Sequence, residues 1–273
     1  MIRLVAIDLD GTLLNHQREI PAGNVAAVNA AKAAGVRVVL ASGRIRPSME
    51  PYAATLGLDG PMICANGAHV VGEEGREILH VGLDAATTET VLRYAEADGV
   101  HLNIYTRSTL RFLADTPWGE VYRGRVSAVR PGMLRPEERV GLSPTKLMIV
   151  ADAADVPRHR AALTPEIDES LARMVVSEPE YLEFLSTSAS KGSALKVLAE
   201  AYGYRREEVA AMGDYLNDLE MVKWAGLSGA PANAAPEVAA AATVQVASNE
   251  DEGVAEFINR YVLGGLAAPP VPQ

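Results

Sequence analysis

Short apolar runs alternate with helical patterns that stop at glycine, first at the start of the chain and again near its end. In the first third the apolar runs lie at 3–7, 36–41 and 61–65. Between them, helical segments at 22–34 and 47–56 are closed by Gly35 and Gly57. Glycine just past a periodic segment stops a helix, and strands alternating with helices imply right-handed βαβ units on a parallel sheet. Residues 70–71 and 78–81 flank Gly72-Glu73-Glu74-Gly75 and predict a hairpin. The rhythm returns as a helix at 191–202, a strand at 209–212, a helix at 216–225, runs at 227–230 and 243–246, and a last helix at 253–263. Between 83 and 185 the segments are shorter and more strand-like, at 100–105, 110–113, 145–150, 174–176 and 181–185, with helical stretches at 85–97 and 156–163. The expected architecture is therefore α/β: a Rossmann-like, doubly wound parallel sheet from residues 1–82 and 186–266, with an inserted α+β domain at 83–185. Residues 267–273 are Pro-rich and aperiodic, and predict a flexible tail.

The polar residues fall at the ends of the core strands. Asp8 closes the first run and Asp10 follows it; Ser42 follows the second, Asn66-Gly67 the third, and Gly213-Asp214 the strand at 209–212. Asp8-Leu9-Asp10-Gly11-Thr12 alone admits two readings. It is a strand entering an Asx-type turn, or a pair of carboxylates dividing one reaction between a nucleophile and an acid/base. Ser42 and Asn66 singly read equally well as caps or turn formers. Ligands of open parallel sheets bind beyond the carboxyl ends of the strands, so four such ends carrying Asp, Ser, Asn and Asp favour a site over capping.

Asp8, Asp214 and Asp218 would gather like charge in a small volume, which is relieved by shared protons or by a cation. Oxygen donors with no His or Cys nearby select Mg²⁺. His16, His69, His80, His101 and His159 show no zinc-ligand spacing. Lys191 opens a helix, where its charge opposes the dipole; a Lys aimed at carboxylates and a phosphate accounts for that placement better than a structural one. Arg44 either orients a substrate or makes a surface pair.

The net charge of −10 argues against non-specific nucleic-acid binding, yet leaves small phosphorylated substrates open. Cys64 is the single cysteine and lies in an apolar run, so it reads as a buried hydrophobe and no intrachain disulfide is possible. No apolar stretch is long enough to span a bilayer, and Asp8 comes too early for a signal-peptide core. The expected location is cytoplasmic.

Taken in order, Asp8-Leu9-Asp10-Gly11-Thr12-Leu13, Ala41-Ser42-Gly43-Arg44, Ala65-Asn66-Gly67, Ser190-Lys191-Gly192 and Gly213-Asp214-Tyr215-Leu216-Asn217-Asp218 resemble the motifs of the haloacid dehalogenase superfamily. Leu195 and Asn233 extend the similarity to the Cof-type phosphatases of subclass IIB, whose cap domain lies where this chain has its insertion. The resemblance covers all but the Pro-rich tail. It implies that Asp8 is the nucleophile and forms an aspartyl-phosphate, and that Asp10 protonates the leaving oxygen and then activates water. It further implies Mg²⁺ held by Asp8, the Asp10 carbonyl and Asp214 with help from Asp218. Ser42, Gly43, Arg44 and Asn66 would line the substrate site, and Lys191 would offset charge. Asn217 would contact the phosphate or orient the metal shell.

Within that family, expulsion of halide needs no acid, whereas expulsion of an alkoxide does, so Asp10 favours phosphoryl chemistry. The implied activity is Mg²⁺-dependent hydrolysis of small phosphorylated metabolites, sugar phosphates or phosphorylated cofactors, by a monomer or homodimer without nucleic-acid or membrane partners. A phosphomutase is the nearest alternative, and a non-catalytic phospholigand-binding protein a more distant one. The inserted domain would act as a cap that excludes water and sets specificity, with Tyr105, Asp115, Trp118 and Tyr122 as candidate selectors.

Overall fold

A computed structural model describes residues 1–125 and 129–264; the tail expected at 267–273 lies outside the described residues. The strands in chain order are β1 (Leu4–Asp8), β2 (Arg37–Ala41), β3 (Met62–Cys64), β4 (His69–Val71) and β5 (Glu77–His80). Then come β6 (His101–Tyr105), β7 (Leu110–Phe112), β8 (Gly132–Met133), β9 (Lys146–Val150), β10 (Ala172–Glu178) and β11 (Tyr181–Ser186). Last are β12 (Val209–Met212), β13 (Leu227–Pro231) and β14 (Val244–Val246). The chain divides into two compact units, one of residues 1–44, 49–79 and 190 onward, the other of 45–48 and 80–189.

The first unit is built on a sheet of order β14-β13-β12-β1-β2-β3-β4-β5. The pairs from β14 to β3 are parallel, and β3 with β4 is antiparallel. Every residue of β1 is buried, as a central parallel strand covered on both faces requires. Alternation assigns its two faces. Val5 and Ile7 join a cluster with Val38, Leu40, Met212 and the helix Ala22–Ala33, while Leu4 and Ala6 meet Val39, Ala211 and the helix Lys191–Ala201. The chain moves outward from β1 through β2 to β3, then returns to β12 on the other side of β1. The order therefore reverses between β1 and β12, which is the switch point where such sheets open a crevice at their carboxyl edge.

In the second unit the sheet order is β10-β11-β9-β6-β7-β8, antiparallel except between β7 and β8. One face, from Leu102, Ile104, Leu147, Ile149, Leu182 and Phe184, packs with the helices Ala85–Asp98 and Val156–Leu163. Residues of opposite parity form a polar second face, where Lys146 Nζ meets Glu183 Oε1 at 2.8 Å. Tyr105 and Tyr122 are buried and bonded hydroxyl to hydroxyl. Asp115 is exposed and pairs with Arg123 at 3.5 Å, and Trp118 is half-buried. No helix among the described residues is long and apolar enough to cross a membrane.

Several helices depart from expectation. The helix expected at 216–225 is a 3₁₀ turn, Leu216–Asp218, followed by the α-helix Leu219–Trp224. Asp218 Oδ2 accepts the backbone N–H groups of Asp214 and Tyr215 and so ties the first turn to the preceding loop. The final helix starts as α, Gly253–Phe257, and widens into a π segment, Ile258–Leu263. Pro117–Arg125, Pro136–Arg139 and Pro236–Ala241 are helices that periodicity did not reveal. Each begins on proline, which reads as a breaker but costs nothing at the first helical position, where the N–H has no intrahelical acceptor.

Candidate active site

The β1 strand delivers Asp8 to the sheet's carboxyl edge, where the chain turns sharply. Leu9 O accepts from the N–H groups of Leu13 and Leu14 at 3.0 and 2.9 Å, and Gly11 takes φ +85°. A β-carbon at Gly11 would lie 2.4 Å from Asp214 Oδ2, so glycine there lets two strand ends approach. Thr12 Oγ1 donates to Asp214 Oδ1 at 3.0 Å, and Asn233 Nδ2 to the Gly11 carbonyl at 2.8 Å. Thr12 was not singled out in the sequence, although its place inside the first motif was a usable signal.

Lys191 comes from the other side of the switch point. Ser190 caps the helix by accepting from Ser193 N, and the helix's first residue sends Nζ to Asp8 Oδ1 at 2.6 Å and Asp218 Oδ1 at 2.5 Å. Lys191 and Asp218 are 0% exposed and Asp8 is 4% exposed, so this is a desolvated triad of two carboxylates and one ammonium. Burial alone would lower the Lys191 ammonium, but Asp8 and Asp218 outweigh it and hold Lys191 well above its ordinary range. Burial, then repulsion from Asp218, keeps Asp8 well above the usual carboxylate range despite Lys191. Asp214 is pushed up to about 6, first by burial and then by the Asp218 charge.

The three carboxylates converge: one oxygen each from Asp8, Asp214 and Asp218 lie within 4.8 Å of one another. Asp218 has both oxygens engaged, Oδ1 on Lys191 and Oδ2 on two backbone N–H groups. Asp8 Oδ2, in contrast, is buried and has no hydrogen-bond partner within the protein. A buried carboxylate oxygen left bare is costly unless something binds it.

Ser42 is buried at the end of β2; its N–H bonds Ile63 O at 2.9 Å and its carbonyl accepts from Asn66 N at 3.0 Å. Gly43 lies against the Asn66 side chain, and Asn66 Oδ1 accepts from Asn217 Nδ2 at 2.9 Å. Asn66 and Gly67 both have positive φ. A β-carbon at Gly67 would stand 2.0 Å from the Ser190 carbonyl, so this loop is fitted to the start of the Lys191 helix. Asp10 turns away from the triad. Its half-exposed carboxylate takes two bonds from Arg44, Nε to Oδ2 at 2.8 Å and Nη2 to Oδ1 at 2.5 Å. Asp8, Asp218 and Lys191 thus form a buried centre with half-buried Asp214 at its edge, whereas Asp10–Arg44 and Asn66–Asn217 are two separate, more exposed pairs.

Residues 5–258 match the family model of the haloacid dehalogenase-like hydrolases. The chain belongs to that family. Among relatives of this hydrolase, YxeH of Bacillus subtilis (strain 168) is 35% identical over 275 residues, covering 96% of this chain and 99% of YxeH. The 5-amino-6-(5-phospho-D-ribitylamino)uracil phosphatase YitU of the same organism is 28% identical, covering 94% and 97%. The crystal structure of TM0651 from Thermotoga maritima superposes with a TM-score of 0.87 at 28% identity, over 95% of this chain and 97% of that one. The haloacid dehalogenase-like fold expected from the motifs is the fold observed, and the chain is a phosphoric monoester hydrolase of this family.

Proposed function

We propose that this hydrolase removes phosphate from small phosphorylated metabolites, with Mg²⁺, through an aspartyl-phosphate on Asp8. The observation that carries the reading is the buried triad, in which Asp8 keeps one oxygen bare while Lys191 holds the other. That bare oxygen attacks phosphorus as the P–O bond to the leaving group breaks, and protonated Asp10 gives its proton to the departing alkoxide. Water then attacks the phosphorus of the acyl phosphate, Asp10 takes its proton, and the Asp8 carboxylate leaves as inorganic phosphate is released. Lys191 offsets the charge on Asp8, and Ser42 with the nearby backbone N–H groups orients the phosphoryl oxygens. Sugar phosphates and phosphorylated cofactors are the substrate class, in keeping with YitU, which is named for a phosphorylated ribityl compound. Selection among them is assigned to the inserted residues 83–185.

The donor set fits Mg²⁺: one carboxylate oxygen each from Asp8, Asp214 and Asp218 within 4.8 Å of one another, and no nitrogen or sulfur ligand among them. Asp8 and Asp214, with the Asp10 carbonyl, would hold the ion, and Asp218 would assist through the loop that its hydrogen bonds fix. When bound, Mg²⁺ neutralises phosphoryl charge.

The direct test is phosphate release from a panel of metabolite monoesters with and without Mg²⁺. Release in proportion to substrate, with no isomeric product, is expected; an isomer without free phosphate would indicate a mutase, and no turnover of any monoester would overturn the reading. The carboxyls supply a second test. Because their folded-state values are raised, Asp8 and Asp214 take up protons more readily than ordinary carboxylates, Asp214 as pH falls through about 6, and protons and the cation compete. These groups therefore stabilise the metal-free fold at low pH and lose that contribution as pH rises. Added Mg²⁺ should raise the melting temperature more at pH 7.5 than at pH 5.5; equal shifts would contradict it.

A further inference from the structure

Arg44 does more than border a phosphate site. Its guanidinium makes one bond to each oxygen of Asp10, Nε to Oδ2 at 2.8 Å and Nη2 to Oδ1 at 2.5 Å, the bidentate pairing that adds orientation to charge. The fork is itself built in. The Arg44 N–H donates to Ser42 Oγ at 3.2 Å, and the Arg44 carbonyl accepts from Ala65 N at 2.8 Å. Its guanidinium carbon sits 5.2 Å from the centroid of Tyr52, whose hydroxyl accepts from Nη1 at 3.5 Å. Asp10, by contrast, is 52% exposed in its side chain, and a short carboxylate so exposed would otherwise sample several rotamers.

We propose that Arg44 is a positioning residue for Asp10, fixing the plane of the acid/base carboxylate rather than binding substrate phosphate. This rests on the role given to Asp10 above. A carboxylate has about four lone-pair sites. A fork that takes one site on each oxygen therefore fixes the carboxylate plane and leaves the remaining sites, at set angles, for the leaving oxygen and then for water. Lysine supplies the charge without the fork, so the two roles of Arg44 separate by substitution.

The experiment compares kcat/KM, which reads steps through departure of the leaving group, on two esters. One is p-nitrophenyl phosphate, whose phenolate leaves without a proton; the other is an alkyl phosphate, whose alkoxide needs one. In wild type, the ratio of alkyl to nitrophenyl kcat/KM measures acid catalysis. D10N should collapse that ratio by roughly 10²-fold or more; if it does not, the assignment of Asp10 fails, independently of Arg44. Given that collapse, R44K and R44A should each lower the ratio by roughly tenfold or more, with melting temperatures confirming that the variants fold. R44A added to D10N should lower the ratio no further, because both act on one group. Y52L, which removes the prop beneath the guanidinium, should shift the ratio the same way by less and keeps the test open if the Arg44 variants misfold. Equal losses on both esters, largely restored by Lys, would instead make Arg44 a phosphate ligand and overturn the proposal. An unchanged ratio would reduce the pair to a surface salt bridge and overturn it equally.

Discussion

Asp8→Asn should lose phosphate release by at least roughly 10⁴-fold on every ester, because an amide cannot form the acyl phosphate and no second group replaces it. The same substitution should leave the metal-free protein as stable as wild type or more stable. Asp8 is buried beside Asp218 with its carboxyl held well above the usual range, so its ionised form is a burden that the fold carries at neutral pH. Asn removes that charge and leaves Lys191 paired with Asp218. Phosphate-release assays together with thermal melts in a chelator check both halves. Residual turnover near wild type would remove Asp8 from the mechanism. A large fall in melting temperature would show that the Asp8 charge supports the fold rather than straining it. Activity and stability opposed at one residue are the usual mark of a group retained for chemistry.

Lys191→Met should have the largest effect on stability. Methionine fills similar length in a site with 0% exposure, but it leaves Asp8 and Asp218 facing each other without a cation. Removing one partner of a buried ion pair costs ~3–5 kcal/mol, which for a chain of this size corresponds to a fall of about 10 °C in melting temperature. The loss should shrink as pH falls from 7.5 to 5.5, since proton uptake by Asp8, whose carboxyl is held well above the usual range, removes the repulsion that Lys191 had offset. It should also shrink in the Asp8→Asn background, where one of the two opposed charges is already gone. Melting curves of the single and double variants at the two pH values test this. A Lys191→Met variant as stable as wild type at pH 7.5 would show that the triad is better solvated than its burial implies.

Much of this centre was legible in the chain because parallel strands impose direction. Once β1, β2, β3 and β12 are read as parallel, the residues that follow them must share one edge, and Asp8, Ser42, Asn66 and Asp214 do. Lys191 was legible because a cation at a helix start is out of place on electrostatic grounds alone. Side-chain direction was not legible. Asp10 and Asp8 are two residues apart, yet one turns to Arg44 and the other to Lys191, because β1 ends at Asp8 and the chain turns at Leu9, between them. The engagement of both Asp218 oxygens was equally hidden, since it depends on the N–H groups of Asp214 and Tyr215 in the loop before the helix and on the reach of Lys191. The tyrosines at 105 and 122 show the same limit: alternation placed Tyr105 on a face, but a proline-initiated helix brought Tyr122 over it.

The reversal of strand order beside β1 also sets a timetable. Residues 4–7 pair with 209–212, a separation of about two hundred positions, so this ladder cannot begin until most of the polypeptide has been made. During synthesis at ~5–20 residues per second, Asp8 leaves the ribosome tens of seconds before the ammonium that will neutralise it and the backbone that will order Asp218. A nascent chain interrupted after the second unit would carry Asp8, Ser42 and Asn66, but neither Lys191 nor the carboxylates of Asp214 and Asp218. Premature termination in this protein should therefore yield inert fragments rather than a weak or promiscuous enzyme, because Lys191, Asp214 and Asp218 join Asp8 only once the segment that carries β12 has been made.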